Sequence, residues 1–125
     1  MLNKPDEEFV KEGAQKVTDK DVEKVVNKSE EIKKRFSAKG PLARFIEDGQ
    51  LLIAIVKDYW SGAYRQIPYG AIASIVFTLI YVLNPFDLMP DMLPVIGQLD
   101  DVAVMSACLL LVEQDLHKYK DWKQR

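Results

Sequence analysis

The sequence is poor in the residues that most catalytic and metal sites need. Cys108 is the single cysteine and His117 the single histidine among 125 residues, so an intrachain disulfide is excluded and no zinc-ligand spacing occurs. The leucines that follow Cys108 indicate a buried, inert thiol, and the polar residues around His117 indicate an exposed imidazole rather than half of a nucleophilic pair. No glycine-rich phosphate loop or dinucleotide fingerprint is present. We therefore expect neither an enzymatic activity nor a cofactor.

A strong excess of charge is also missing. The net charge is -2 and the sequence pI is near 5.4, whereas a nucleic-acid binder normally carries a clustered basic excess. The first eight residues are charged and acidic rather than apolar, so we do not expect export by a cleaved signal. The length fits one compact domain overall.

Charge is concentrated in residues 1–40, which contain ten Lys or Arg and nine Asp or Glu. Thr18 and Asp21 have the spacing of a capping box. Apolar or small residues then recur at helical spacing, at Val22, Val25, Ser29, Ile32 and Phe36. We predict a charged amphipathic region at 1–40, with one solvated helix from about Asp19 to Ala38.

The second region, 41–125, begins at a Gly40-Pro41 break, and we expect a new helix to start there. Its sequence from Leu51 to Val56 is apolar all round. Such a segment either packs in a core or lies along a lipid surface.

No charged residue occurs from Gln66 to Phe86, and the prolines at 68 and 85 limit the helix to Tyr69–Leu83. At about 1.5 Å per residue this helix is roughly 22 Å long, short of the about 30 Å of a bilayer core. A second apolar helix follows over 102–112. The fold class is therefore all-α, with charged N-terminal helices followed by an apolar antiparallel hairpin, whose core is 67–112 and whose turn is rich in Asp and Pro.

No Lys or Arg lies between Arg65 and Lys118, so basic residues flank the hairpin only at its open end. If the hairpin enters a bilayer, both termini are expected to be cytoplasmic. Small residues four apart, Gly70 with Ser74 and Ala103 with Ala107, allow close helix packing in a membrane or in a water-soluble core. The aromatic residues near the hairpin ends fit an interfacial belt or an ordinary core equally well: Tyr59, Trp60, Tyr64, Tyr69, Tyr119 and Trp122.

Four aspartates fall at the predicted turn: Asp87, Asp91, Asp100 and Asp101. A carboxylate near an apolar phase must be paired, protonated, bound to a cation or hydrogen-bonded. Helix capping is the favoured interpretation, with Asp100 accepting from the first amides of the second apolar helix. The alternative is a Ca²⁺ or Mg²⁺ site in which the four carboxylates converge.

The turn itself is patterned: N-P-x-D-hydrophobic-x-P-D leads through hydrophobic-P-x-x-G to the Asp100-Asp101 pair. This pattern resembles the YkvA-like family, a bacterial and archaeal domain of unknown function, over roughly residues 67–111. The resemblance implies membrane association and no established enzymatic activity.

We therefore expect a non-enzymatic interaction or assembly module at the cell membrane, whose partners are the lipid bilayer and either a second copy or another membrane protein. One alternative is a soluble, cytoplasmic helical binding protein, oligomeric or not. A second is a divalent-cation-dependent protein that uses the turn aspartates.

Overall fold

The all-α prediction is confirmed over the residues that the structure describes. A computed structural model describes residues 4–37, 39–84 and 100–124. These residues form one short 3₁₀ turn, Ala43–Phe45, and no strand; their helices are α1 (Lys4–Ala14), α2 (Asp19–Asn27), α3 (Ser29–Arg35), α4 (Ile46–Ser61), α5 (Tyr69–Leu83), α6 (Asp101–Leu111) and α7 (Glu113–Lys123).

Helix α5 is the centre of the molecule. It has the predicted bounds, with Pro68 at its N-cap and Asn84 at its C-cap, and every residue from Ile72 to Leu83 is buried. Helices α1, α2, α3, α4 and α6 all contact it. A helix that is apolar on every side requires neighbours on every side, and here the other helices of the chain supply them.

Helix α6 pairs with α5 in the opposite direction. The Cys108 thiol, late in α6, donates to the Ser74 carbonyl early in α5 at 3.8 Å. At the other end, burial and then the carboxylates of Asp101 and Asp100 raise the pKa of Tyr81, so the start of α6 lies near the end of α5. We call these two helices the α5–α6 pair. The turn at 85–99, with Asp87 and Asp91, lies outside the described residues.

The predicted single helix from Asp19 to Ala38 is wrong, because the chain breaks at Lys28 into α2 and α3, and α3 ends at Arg35. The predicted capping box is present: the Thr18 amide donates to Asp21 Oδ2 at 2.9 Å. The predicted apolar stripe is also confirmed, since all five of its residues are buried. The two helices are solvated only on their outer faces, because the stripe packs into the core around α5.

Helix α1 lies across the α5–α6 pair. Its inner residues Phe9, Val10 and Ala14 are buried. A Cβ atom added at Gly13 would lie 2.2 Å from Cε1 of Phe77, so α1 approaches α5 at a position where only glycine fits. Helices α1 and α2–α3 thus both pack directly on the apolar helices.

The first α-helix of the second region begins later than predicted. The α-helix starts at Ile46, after the 3₁₀ turn, rather than near Pro41. It ends at Ser61 because Gly62 adopts a φ of 89°, which favours glycine. After α6, the chain turns at Val112 and continues as α7 into a segment where the sequence indicated only polar residues. None of the helices in the described ranges combines the length and the apolar character needed to cross a membrane.

Candidate functional site

The two described aspartates of the turn stand at the start of α6. Asp100 is its N-cap, and its Oδ1 accepts a hydrogen bond from the Ala103 amide at 2.7 Å. This is the geometry of the capping interpretation. Asp101 is half-buried; burial and the neighbouring Asp100 carboxylate raise its pKa, while the Arg35 guanidinium of α3 lowers it.

A cation site gains no support from this part of the chain. The described residues contain no group of three or more His, Cys, Asp or Glu side chains arranged to hold a metal ion. Asp87 and Asp91, the other two predicted ligands, lie outside those residues, so a Ca²⁺ or Mg²⁺ site at the turn stays a prediction.

Cys108 is fully buried between α5 and α6. Burial raises the pKa of its thiol to about 12, an effect that the neighbouring Thr78 hydroxyl opposes. A thiol that is neutral and out of contact with solvent is a poor nucleophile and a poor metal ligand. His117 is exposed on α7, whereas Cys108 is fully buried.

The first notable surface is apolar and lies under α1. It consists of Phe77 and Tyr81 on α5 with Val104 and Ala107 on α6, and we call it the covered face. The ring of Phe9 packs edge-on against Phe77, with centroids 5.3 Å apart, and against Tyr81 at 5.8 Å. Together with Phe9 and Val10 these residues form a cluster of their own, apart from the main core.

The second surface is an open groove of about 650 Å³ on the opposite side of α6, and the sequence did not predict it. The groove lies between the start of α4 and the α6–α7 helices; its lining is Arg44, Phe45, Asp48, Val102, Ala103, Ser106, Leu109, Leu110, Glu113, Leu116, His117 and Lys120. Leu110 protrudes beside it and is 53% exposed. One feature of the sequence could have located this groove. Helix α6 is apolar on every side, so one of its faces lacks a partner.

The six aromatic residues near the open end of the hairpin divide between core and surface. Tyr64, Tyr119 and Trp122 pack together, with ring centroids 4.9 to 5.8 Å apart. Trp60 and Tyr69 are 40% and 42% exposed, so only these two are strongly exposed. The core interpretation therefore holds for part of the set.

Only one member of each small-residue pair is buried, Ser74 in the first and Ala107 in the second. A Cβ at Gly70 would meet no atom within 4 Å, so no helix approaches there, and Ala103 faces the groove. Close approach occurs instead at Gly13 and at Gly49, where a Cβ would lie 2.8 Å from the Phe36 ring.

The central part of the chain is similar to known proteins. Residues 71–107 match the family described as "Protein of unknown function (DUF1232)". The "Uncharacterized membrane protein YkvA" of Bacillus subtilis (strain 168) is 25% identical over 69 residues, which are 55% of this chain and 65% of YkvA. No solved structure matches significantly. Residues 71–107 thus match the DUF1232 family, and the chain is a distant homologue of YkvA, which confirms the YkvA-like resemblance.

Proposed function

We propose that the protein is a non-enzymatic, membrane-associated helical module that contacts the bilayer through the α5–α6 pair and serves in interaction or assembly. The observation that carries the proposal is the burial of α5, in which twelve consecutive residues from Ile72 to Leu83 are enclosed by helices with charged outer faces. The other helices thus enclose an apolar helix that a bilayer can also accommodate. The distant relative YkvA is named as a membrane protein, which adds support.

The proposed contact is shallow insertion at the cell membrane rather than a crossing. The fifteen residues of α5 are about 22 Å long, whereas a span needs about 20 residues. Arg65 precedes α5, and Lys118, Lys120 and Lys123 follow α6. Basic side chains at this open end would stay with cytoplasmic head groups, so we propose that both termini face the cytoplasm.

Fractionation of cells that produce the full chain tests this proposal. We expect the protein to sediment with membranes and to resist, at least in part, a carbonate wash that strips peripheral proteins. Purified protein should also float with vesicles of phosphatidylcholine and phosphatidylglycerol. Complete recovery in the soluble fraction, together with no flotation, would contradict the proposal.

The groove favours a second candidate, a helical binding protein that pairs with a second copy of itself. Leu110 protrudes beside an open apolar groove, so each copy offers both a projection and a recess. The rim carries Arg44 and Lys120 as well as Asp48 and Glu113. A rim of mixed sign suits an identical partner better than a surface of uniform charge.

Light scattering across a range of concentrations tests self-association without lipid. We expect Leu110→Glu to shift any dimer to monomer, because it places a carboxylate in the apolar contact. Gln114→Glu adds the same charge at an exposed position on α7 and should leave the mass unchanged. A monomeric wild-type chain at high concentration would exclude this candidate.

A further inference from the structure

We infer that the groove side of α6 docks on bilayers that contain anionic lipid, with Leu110 entering the apolar layer and a basic segment at residues 32–46 holding the head groups. The inference rests on the proposed function, and it names the surface that makes the contact and the class of lipid that the surface selects. A surface that is apolar in one part and basic beside it can enter a bilayer while its charges stay among anionic head groups.

The basic segment carries charge of one sign. Residues 32–46 contain five basic residues and no acidic residue, although the net charge of the whole chain is -2. All five basic residues are exposed: Lys33, Lys34, Arg35, Lys39 and Arg44. A chain with a negative net charge thus presents a local positive surface, and the partner that complements this surface is anionic.

The basic segment lies along the edge of the groove. Arg44 lines the groove itself. The ring of Phe36 packs on Gly49 in the first turn of α4, where an added Cβ atom would lie 2.8 Å from it. The Arg35 guanidinium lowers the pKa of Asp101, the first residue of α6, so the start of the segment lies near the start of that helix. The positive charge and the groove therefore belong to one surface.

The groove supplies the apolar part of this surface. Val102, Leu109 and Leu110 of α6 line one side of it, and Phe45 lines the other. Leu110 is 53% exposed, more than any other large apolar residue in the described ranges. An exposed leucine gains free energy when it moves from water into the acyl layer. A nucleic acid would complement the basic segment but not the groove, whereas an anionic bilayer complements both.

The surplus of positive charge comes from the basic segment rather than from the groove. On the rim, the carboxylates of Asp48 and Glu113 offset the cations of Arg44 and Lys120. Lipid selection should therefore depend on the other lysines of the segment. Vesicles of phosphatidylcholine offer the apolar contribution alone, whereas vesicles that also contain phosphatidylglycerol offer both contributions.

The experiment measures flotation of the full chain with vesicles of phosphatidylcholine and with vesicles of phosphatidylcholine and phosphatidylglycerol in equal parts. We expect the wild-type chain to bind the mixed vesicles about a hundredfold more tightly, since each basic residue near an anionic surface contributes roughly fivefold. This preference should fall steeply when the salt concentration is raised to about 0.5 M.

Lys34→Gln/Lys39→Gln removes two positive charges from the basic segment. We expect it to weaken binding to the mixed vesicles by about tenfold and to leave binding to phosphatidylcholine unchanged. Lys11→Gln/Lys20→Gln is the matched control, because it removes the same charge from exposed positions in α1 and in the first turn of α2. The control should change neither value by more than about twofold.

Leu110→Gln tests the apolar part of the surface. We expect it to weaken binding to both kinds of vesicle by about the same factor, and to keep the salt dependence of the wild-type chain, because no charge is changed. The exposure of Leu110 means that the fold should survive, which thermal unfolding followed by circular dichroism checks.

The inference and the proposed function fail in different ways. Equal binding to the two kinds of vesicle, or equal losses in the two lysine pairs, would overturn the inference and leave membrane association intact. Unchanged flotation of Leu110→Gln would also overturn it, whether the groove is then empty or, if that variant dissociates a wild-type dimer, is occupied by a second copy. If the protein neither floats with vesicles of either composition nor sediments with cell membranes, the proposed function itself fails.

Discussion

Asp100 and Asp101 are adjacent carboxylates with different surroundings. Asp100 is exposed and accepts a hydrogen bond from the Ala103 amide, whereas Asp101 is half-buried beside a like charge. The first arrangement satisfies a free amide of the helix start. The second disfavours the ionised form. At this scale, one residue stabilises α6 and its neighbour costs stability near neutral pH.

Replacement of Asp100 with alanine removes the N-cap of α6. We expect the free energy of unfolding, measured in urea, to fall by about 1 kcal/mol. Asp100→Asn keeps an oxygen that can accept from Ala103 and should retain most of that stability. Equal losses in the two variants would contradict a capping role.

Asp101 is expected to make stability depend on pH. Its pKa is raised in the folded chain, so the folded state binds the proton more tightly than the unfolded state does. Its contribution is therefore largest below the ordinary carboxyl value of 3.8 and is lost as pH rises through the raised pKa. Asp101→Asn should raise the melting temperature at neutral pH and flatten this slope. Asp121→Asn, at an exposed position on α7, should leave both unchanged.

At the scale of elements, α5 is apolar on every side but contains one buried hydroxyl without a hydrogen bond. Thr78 is fully buried, and its Oγ1 lies near the Cys108 thiol but makes no hydrogen bond of standard geometry among the described residues. Ser74, one turn earlier, donates instead to the Gly70 carbonyl at 2.9 Å. A buried, unpaired hydroxyl costs free energy that an apolar group of the same shape does not.

Thr78→Val replaces this hydroxyl with a methyl group. We expect the free energy of unfolding to rise by about 1 kcal/mol, since the unpaired oxygen is removed at nearly constant volume. Thr78→Ser keeps the hydroxyl and deletes the methyl group, so it should lower stability. Denaturant titration of both variants measures the difference, and a destabilised valine variant would indicate that Oγ1 has a partner.

Helix α7 is fixed to α4 by a polar contact within an aromatic cluster. The Tyr119 hydroxyl donates to Asp58 Oδ2 at 2.5 Å, and Lys123 Nζ lies 3.4 Å from the same oxygen. Tyr119 is buried, whereas the Lys123 side chain is 51% exposed. The tyrosine hydrogen bond should therefore contribute more than the ion pair.

Tyr119→Phe keeps the ring packing and deletes the hydroxyl that donates to Asp58 and accepts from Lys123 Nζ. We expect it to lower the free energy of unfolding by about 1–2 kcal/mol, as is typical of a hydrogen bond to a charged group that is partly buried. Lys123→Gln should cost about 0.5 kcal/mol or less, because its ion pair is solvent-exposed. Urea titration distinguishes the two, and a larger effect at Lys123 would contradict this order.

At the scale of the whole molecule, the described helices enclose α5 in two separate apolar clusters. The main core joins α2, α3, α4, α6 and α7 to α5, while α1 closes a smaller cluster on one side. A smaller cluster that is separate from the main core can open locally while the main core stays packed.

Hydrogen exchange on the wild-type chain tests this hierarchy. We expect the amides of Ile75 to Leu79 in α5 to exchange at the rate of global unfolding, since these residues are buried on every side. The amides of α1 should exchange through local opening, with weaker protection and little dependence on denaturant. Equal protection in α1 and α5 would show that the molecule opens as a single unit.

The sequence alone determined the elements that rest on local pattern. Proline and asparagine bounded α5 at Tyr69 and Leu83, the Thr18–Asp21 spacing marked the start of α2, and Asp100 marked the start of α6. These features depend on residues a few positions apart, so they survive in any tertiary context. The same holds for the turn motif that carried the family resemblance.

Only the tertiary structure decided which faces pack together. The break at Lys28, the fit of Gly13 on Phe77 and the open groove along α6 all depend on residues far apart in the chain. The sequence showed that α5 and α6 are apolar all round, but it did not show what covers each side. The answer required the packed chain, in which charged amphipathic helices enclose α5, α1 covers one face of the pair, and the opposite stripe of α6 stays open.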